Sequence, residues 1–83
     1  MRNTTAIPGD DQNPTVVWRA FQNDADQGGS IYVPGGMGRY LIDRPIIVDV
    51  DGTVFESDGD AEILNTKSGG IFQLGLKLSL IHI

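Results

Sequence analysis

Acidic side chains are the residues of this chain best suited to chemistry, and they concentrate in one central region. They are Asp43, Asp49, Asp51, Glu56, Asp58, Asp60 and Glu62. Asp49 and Asp51 form a pair with one residue between them, and Asp58 and Asp60 form another. Alternate residues of a strand point to the same face, so each pair could bring two carboxylates together. Such pairs are used for glycoside hydrolysis and for binding calcium.

The same carboxylates have a simpler interpretation as turn and surface residues. Asp51 and Asp58 each precede a glycine, and Asp-Gly dipeptides are typical of turns. The remaining acids are typical of a solvated face. Neither a full calcium-loop spacing nor a second catalytic motif accompanies the pairs. We therefore expect no metal ion and no cofactor, and the sequence assigns no catalytic residue.

The run Gly35-Gly36-Met37-Gly38 raises the question of phosphate binding because it is rich in glycine. A phosphate loop needs a following Lys-Ser/Thr and the start of a helix, and this run has neither. We interpret it as a turn.

Three aromatic side chains, Trp18, Tyr32 and Tyr40, could form a platform on which a sugar ring stacks. Trp and Tyr at helical or strand spacing more often pack in a core or at its rim, and we favour that interpretation. His82 is the only histidine, so the serines have no credible partner base for nucleophilic catalysis.

The composition is that of one small globular domain. The chain has 83 residues, of which 40% are hydrophobic and 20% charged. Its formal net charge is −5, and its six basic residues are scattered, whereas phosphate contacts need clustered lysine and arginine. It has no cysteine, and no apolar run reaches the length of a membrane span. We expect neither a nucleic-acid partner nor a membrane partner.

One helix is predicted over residues 14–26, ahead of these acids. Asn13 can cap it, and Pro14 suits its first position because the missing amide donor costs nothing there. Gly28 tolerates the left-handed conformation that ends a helix. Its apolar face carries Val17, Ala20 and Phe21, with Asp24 at the same helical spacing.

After the helix come short apolar segments, each bounded by Gly, Pro, Asp or Asn. They cover residues 31–33, 40–42, 46–50, 53–55, 62–64 and 71–74. From Ile31 to Val54 is 23 residues and from Val54 to Ile71 is 17, both near one turn of a β-solenoid. We predict parallel pairing of the Ile31 strand with the Val54 strand, and of that strand with residues 71–74. The spacing of the apolar segments alone does not distinguish a β-solenoid from a β-sandwich.

The glycine-rich turns and the first elements follow a recognisable order. Gly28-Gly29-Ser30-Ile31-Tyr32-Val33-Pro34 combines a helix stop, a strand and a Pro-Gly turn, and Tyr40-Leu41-Ile42 begins the next strand. Gly9-Asp10 precedes the helix, and Asn13-Pro14-Thr15 opens it. This arrangement resembles the opening of the pectate-lyase-like family, and the resemblance covers residues 9–74.

The resemblance implies a mainly β fold, in which a cap helix covers the first coils of a right-handed parallel β-helix. Members of that family include polysaccharide lyases, glycoside hydrolases and phage tailspikes. It implies an extracellular or virion parent that binds and cleaves polysaccharide and could assemble as a homotrimer. Catalytic groups of the family lie on later coils, so these residues alone are expected to be inactive. The alternatives are a non-catalytic structural β-helix of a virion or adhesin, and a small β-sandwich binding module.

The last six residues, 78–83, need a separate explanation. They look like the translation of a transposon-end adapter used to prepare sequencing libraries. On that interpretation the natural sequence stops near Lys77, and His82 was never encoded by the gene. The alternative is an ordinary apolar strand. We therefore divide the chain into a turn segment (1–12), the cap helix with the first coils (13–77) and an adapter-derived tail (78–83).

Overall fold

A computed structural model describes residues 2–36, 38–57, 61–67, 69–74 and 80–81. For residues 73, 74, 80 and 81 it describes the backbone alone. The described residues form one helix and short strands in small parallel sheets, a mixed α/β arrangement. The elements are β1 (Arg2–Asn3), α1 (Pro14–Gln27), β2 (Ser30–Tyr32), β3 (Tyr40–Ile42), β4 (Ile46–Val48), β5 (Val54–Glu56), β6 (Ile63–Asn65), β7 (Phe72–Leu74) and β8 (Leu80–Ile81).

The predicted helix is confirmed, with an end one residue later than expected. The Asn13 side chain accepts a hydrogen bond of 2.9 Å from the Thr15 amide, and Pro14 occupies the first turn. Gly28 ends the helix with φ of 72°, and its amide donates to the Ala25 carbonyl. A Cβ at Gly28 would lie 2.8 Å from a methyl group of Val50, so close packing as well as φ requires glycine there.

All strand pairings among the described residues are parallel, and they form three sheets. Sheet 1 has the order β1-β2-β5-β8, sheet 2 pairs β3 with β6, and sheet 3 pairs β4 with β7. The chain therefore visits sheets 1, 2 and 3 with β2, β3 and β4, and visits them again in that order with β5, β6 and β7. A meander or sandwich would instead pair β2 antiparallel with β3, and the described part of the chain has no such pairing.

The register confirms one predicted pairing and corrects the other. Ile31 lies beside Phe55, so the strand at Ile31 does pair with the strand at Val54. The predicted second neighbour of that strand, residues 71–74, is wrong: β7 pairs with β4, and β5 pairs with β8. The 17-residue spacing from Val54 to Ile71 therefore joins strands of two different sheets. Neighbours within a sheet are further apart in sequence, as with Ile46 and Phe72.

One strand, β1, was not foreseen, and another, β8, was foreseen only as an alternative interpretation. β1 lies in the segment expected to be only turn, and β8 lies in the segment interpreted as adapter-derived. Leu80 and Ile81 pair with Val54 and Phe55, as the alternative interpretation of an apolar strand allows. The pairing does not bear on the origin of these residues, which stays a prediction.

One apolar cluster collects side chains from α1 and from all three sheets. Its members are Ala6, Val17, Phe21, Ala25, Ile31, Val33, Tyr40, Ile42, Ile46, Val48 and Phe55. The Phe21 ring meets Tyr40 edge-on at 5.3 Å between centroids and Phe55 at 6.4 Å. Phe21 is completely buried, so the helix is held against the strands by the face that the sequence predicted.

The parallel register can be tested with engineered disulfides, because the chain contains no cysteine. Leu41 and Leu64 are paired across sheet 2, and parallel neighbours lie about 4.8 Å apart, within disulfide range. We expect Leu41→Cys/Leu64→Cys to oxidise to an intramolecular disulfide, detected by mass spectrometry after mild oxidation. The control pair Tyr32→Cys/Leu41→Cys would be neighbours only in the antiparallel alternative. Preferential oxidation of this control pair would contradict the register.

Candidate functional site

Of the two carboxylate pairs singled out by their spacing, the structure describes one, Asp49 and Asp51, and that pair belongs to no group of metal-binding side chains among the described residues. Asp49 follows β4, Asp51 lies in the turn before β5, and both are exposed. Asp58 and Asp60 lie outside the described residues, as do Met37 and His82. Within the described part of the chain, no three acidic, histidine or cysteine side chains are grouped to hold a metal ion.

The three aromatic side chains do not form a sugar platform either. Tyr40 is completely buried in the core and donates a hydrogen bond of 2.9 Å to the Pro34 carbonyl. Burial raises the pKa of its phenol. Trp18 is half-buried, and the Arg44 guanidinium lies 4.5 Å from the centre of its ring. The structure therefore agrees with the core-and-rim interpretation for Tyr40 and Trp18.

The strongest constellation of polar contacts lies along one edge of the sheets. In a parallel strand, alternate residues direct their backbone groups to opposite neighbours, so an edge strand leaves some of them unpaired. The Ile46 amide donates to the carbonyl of Ile71, the residue before β7, which turns the backbone groups of Ile47 and the Pro45 carbonyl away from that strand. In β3, Tyr40 bonds to the Glu62 carbonyl, which likewise turns the Arg39 carbonyl outward. These outward groups need partners or water.

On sheet 3 the partners are side chains of α1. The Gln22 carboxamide donates a hydrogen bond of 2.9 Å to the Ile47 carbonyl and accepts one of 2.9 Å from the Ile47 amide. A neighbouring strand would make the same two bonds. Asp26, one turn later, accepts the second Gln22 N–H at 3.0 Å and so orients the carboxamide. The Trp18 indole N–H donates a hydrogen bond of 3.0 Å to the Pro45 carbonyl. A helix thus completes the edge of β4.

On sheets 1 and 2 the partners are backbone groups of the segment before α1. β1 pairs parallel with β2, and the Thr4 amide extends this pairing with a bond of 2.8 Å to the Tyr32 carbonyl. The Gly9 amide donates 2.8 Å to the Arg39 carbonyl at the edge of β3. An Asp10–Arg39 ion pair of 3.1 Å adjoins this bond, and its hydrogen bond lowers the pKa of the Asp10 carboxyl. Residues 2–27 therefore close one edge of each sheet.

Asp24 fastens the segment before α1 to the helix. It is 1% exposed, and its carboxylate accepts bonds of 2.6 Å from the Thr4 hydroxyl and 3.0 Å from the Thr5 amide. The Thr5 hydroxyl lies 3.2 Å from its second oxygen. The Arg2 guanidinium donates a hydrogen bond of 2.9 Å to the backbone carbonyl of Asp24. A buried carboxylate is tolerated because these donors replace its water.

A second polar cluster joins the start of α1 to the turn between β3 and β4. The Thr15 hydroxyl donates to the Asp43 carboxylate, which also forms an ion pair with Arg44 at 3.2 Å. The hydrogen bond from Thr15 is the larger cause, and Arg44 the smaller, of a lowered pKa of the Asp43 carboxyl. The Arg44–Trp18 contact continues the cluster to the edge of β4. We call the described contacts of residues 2–27 with the edges of β2, β3 and β4 the edge closure.

Sequence reasoning recovered the helix of the edge closure and missed most of its contacts. The position of Asp24 on the apolar helix face was the one available signal, since a carboxylate at a buried position implies nearby donors. Gln22 carried no signal because it stands outside that apolar face. The dipeptide Arg2-Asn3 is too short to be recognised as a strand.

No family model, no curated protein and no solved structure matches this chain. The described part contains no helix with the length and apolar character of a membrane span. The resemblance to the pectate-lyase-like family therefore stays an expectation, and function has to be argued from the edge closure itself.

Replacing Gln22 should destabilise the fold by leaving the Ile47 backbone to water. We expect Gln22→Leu to lower the free energy of unfolding by about 1 kcal/mol, the usual net worth of such bonds. The matched control is Gln27→Leu at the exposed last residue of α1, which should change it little. Urea unfolding followed by circular dichroism measures both. Equal effects of the two substitutions would show that the Gln22–Ile47 bonds contribute nothing.

Replacing Asp24 should cost more, because several donors lose one buried acceptor. We expect Asp24→Ala to destabilise by about 2 kcal/mol, within the range for hydrogen bonds to charged groups. Asp49→Ala removes the same charge from an exposed position and should stay within about 0.5 kcal/mol. The measurement is again equilibrium unfolding. A tolerated Asp24→Ala would refute the anchoring role of Asp24.

The lowered pKa of Asp43 predicts a direction for its pH dependence. A folded-state pKa below the ordinary 3.8 means that ionised Asp43 stabilises the fold above that pH and loses this effect as the pH falls through the folded pKa. We expect Thr15→Val to raise the pKa of Asp43 towards its ordinary value. Carboxyl carbon shifts followed by NMR against pH report it directly. A titration unchanged by Thr15→Val would contradict the assigned cause.

Proposed function

We propose that this chain is the closed first end of a right-handed parallel β-helix, in a protein that binds and cleaves polysaccharide. The chain's own part in that protein is structural: the edge closure covers backbone groups that would otherwise be free at the end of the solenoid. These residues alone are inactive. Polysaccharide is bound and cleaved by later coils.

The observation that carries the proposal is that successive strands of the chain belong to sheets 1, 2 and 3 in that order, and then to the same three sheets again. β2, β3 and β4 are followed by β5, β6 and β7 beside them, and each pairing is parallel. Pairs such as Tyr40 with Ile63 and Ile31 with Phe55 give repeats of similar length in different sheets. One apolar cluster draws side chains from all three sheets, as stacked coils require. Parallel crossovers are almost always right-handed, which supports the proposed hand.

The edge closure supports the assignment of an end. A parallel solenoid exposes a row of unpaired backbone groups wherever it is not covered, and such a row invites association with other chains. Terminal units of repeat proteins therefore differ from internal ones and carry a polar outer face. Here α1 has its apolar side at Phe21 and Val17, while Arg19 and Asn23 on the other side are exposed.

The carbohydrate part of the proposal is supported by the resemblance of residues 9–74 to the pectate-lyase-like family. That family also supports an extracellular or virion location and a homotrimeric parent. The net charge of −5 agrees with the proposal that neither nucleic acid nor a membrane is the partner.

The second candidate is a non-catalytic structural β-helix of a virion or adhesin. It is supported by the edge closure, because the contacts of β1 and Gln22 with the strands are a structural role that requires no catalytic coil. The two candidates share the same closed end and differ in what the remaining coils carry.

The experiment is an activity assay on a complete protein that contains these residues. We expect it to release reducing ends from at least one member of a panel of acidic and neutral polysaccharides. Unsaturated uronate ends, seen by ultraviolet absorbance, would identify a lyase and their absence a hydrolase. Residues 1–83 alone, assayed in parallel, should release none. A complete protein with parallel β-helical structure and no cleavage of any substrate would favour the structural candidate.

A further inference from the structure

We propose that the Asp51–Gly52 turn is a site of covalent self-modification, at which Asp51 converts to isoaspartate in the folded protein. The two residues lie between β4 and β5, in a turn closed by a 3.3 Å bond from the Thr53 amide to the Val50 carbonyl. Both are exposed, and Gly52 has φ of 79°. The proposal concerns this turn alone and does not depend on the function proposed above.

The reaction needs only the two residues and water. The backbone nitrogen of Gly52 attacks Cγ of the protonated Asp51 carboxyl, the new C–N bond closes a cyclic imide, and the carboxyl oxygen leaves as water. Water then adds to the imide. Opening at the side-chain carbonyl restores aspartate, and opening at the main-chain carbonyl leaves the chain running through Cγ as isoaspartate. No oxidant, reductant or other reactant enters the balance.

The turn is uncrowded at Gly52, and the Asp51 carboxylate is unbonded among the described residues. A Cβ built on Gly52 would meet no atom within 4 Å, so the space beside its α-carbon is open. Among the described residues, no hydrogen bond holds the Asp51 carboxylate or the Gly52 amide. Rotation of the Asp51 side chain towards that nitrogen therefore breaks no bond. The absence of a side chain on Gly52 also permits the backbone to adjust as the ring closes.

Other described aspartates do not combine an exposed, unbonded carboxylate with a following glycine. Asp24 is buried and held by Thr4 and Thr5, and Asp10 is engaged by Arg39. Asp43 is engaged by Thr15 and Arg44. Each of these three aspartates is followed by a residue with a side chain, which hinders attack by the next nitrogen. Asp58 also precedes glycine but lies outside the described residues.

Isomerisation at this turn would act on the centre of sheet 1. Isoaspartate adds one carbon to the main chain between Val50 and Thr53. Thr53 is completely buried, and both its amide and its hydroxyl, at 2.7 Å, bond to the Val50 carbonyl. We expect the longer main chain to break at least one of these two bonds. The turn positions β5, which pairs with β2 on one side and β8 on the other, so its loosening should destabilise the sheet.

The test is to age the purified chain at neutral pH and to measure isoaspartate by enzymatic methyl transfer. Electron-transfer fragmentation locates the modified residue, because isoaspartate yields diagnostic backbone ions. We expect isoaspartate at position 51 in the folded protein and its loss in Asp51→Glu, which keeps the charge but closes the corresponding ring far more slowly. Asp58→Glu, the matched control, should leave the signal at position 51 intact.

Two results would overturn the proposal. One is isoaspartate at position 51 in urea-unfolded chain but none in folded chain of the same age, which would mean that the turn protects Asp51. The other is a methylation signal unchanged by Asp51→Glu. The isomerised fraction, separated by ion exchange, should also melt at a lower temperature than the unmodified chain. An unchanged melting temperature would overturn the stated effect on β5.

Discussion

Backbone groups at the edge of a parallel sheet are the constraint on which the rest of this structure depends. Each short strand can satisfy only half of its amides and carbonyls with the strand beside it. β2, β3 and β4 have such a partner on one side, in β5, β6 and β7. On the other side the chain supplies three different partners: strand β1, the Gly9 amide and the Gln22 carboxamide. These partners all precede β2 in the sequence.

The closing elements are held in place by two kinds of interaction that do different work. Phe21 supplies apolar burial, because its ring lies between Tyr40 of sheet 2 and Phe55 of sheet 1 and has no contact with water. Burial of one apolar face fixes the rotation of the helix about its own axis only coarsely. The Gln22 and Asp24 bonds fix it more narrowly, since each reaches a particular backbone or hydroxyl group. The apolar face therefore holds the helix against the strands, and the polar contacts set its exact position there.

Local signals in the sequence were enough for the helix, for strands β2 to β7 and for one of the pairings. Asn13, Pro14 and Gly28 mark the ends of α1 through capping chemistry that needs no tertiary information. The second neighbour of β5 was not predictable in this way. Equal spacing of apolar segments does not say which sheet each belongs to, and residues 71–74 were assigned to the wrong one. The edge closure was equally hidden, because Gln22 and Gly9 act through contacts distant in sequence that leave no periodic pattern.

The measurement that tests the edge closure most directly is residue-resolved amide hydrogen exchange of the native chain. One amide reports on each sheet: Thr4 for sheet 1, Gly9 for sheet 2 and Ile47 for sheet 3. The account predicts that all three exchange far more slowly than the unbonded amide of Gly52 in an exposed turn. Exchange of the three amides as fast as that of Gly52 would mean that the edges are open to water, and would contradict the account.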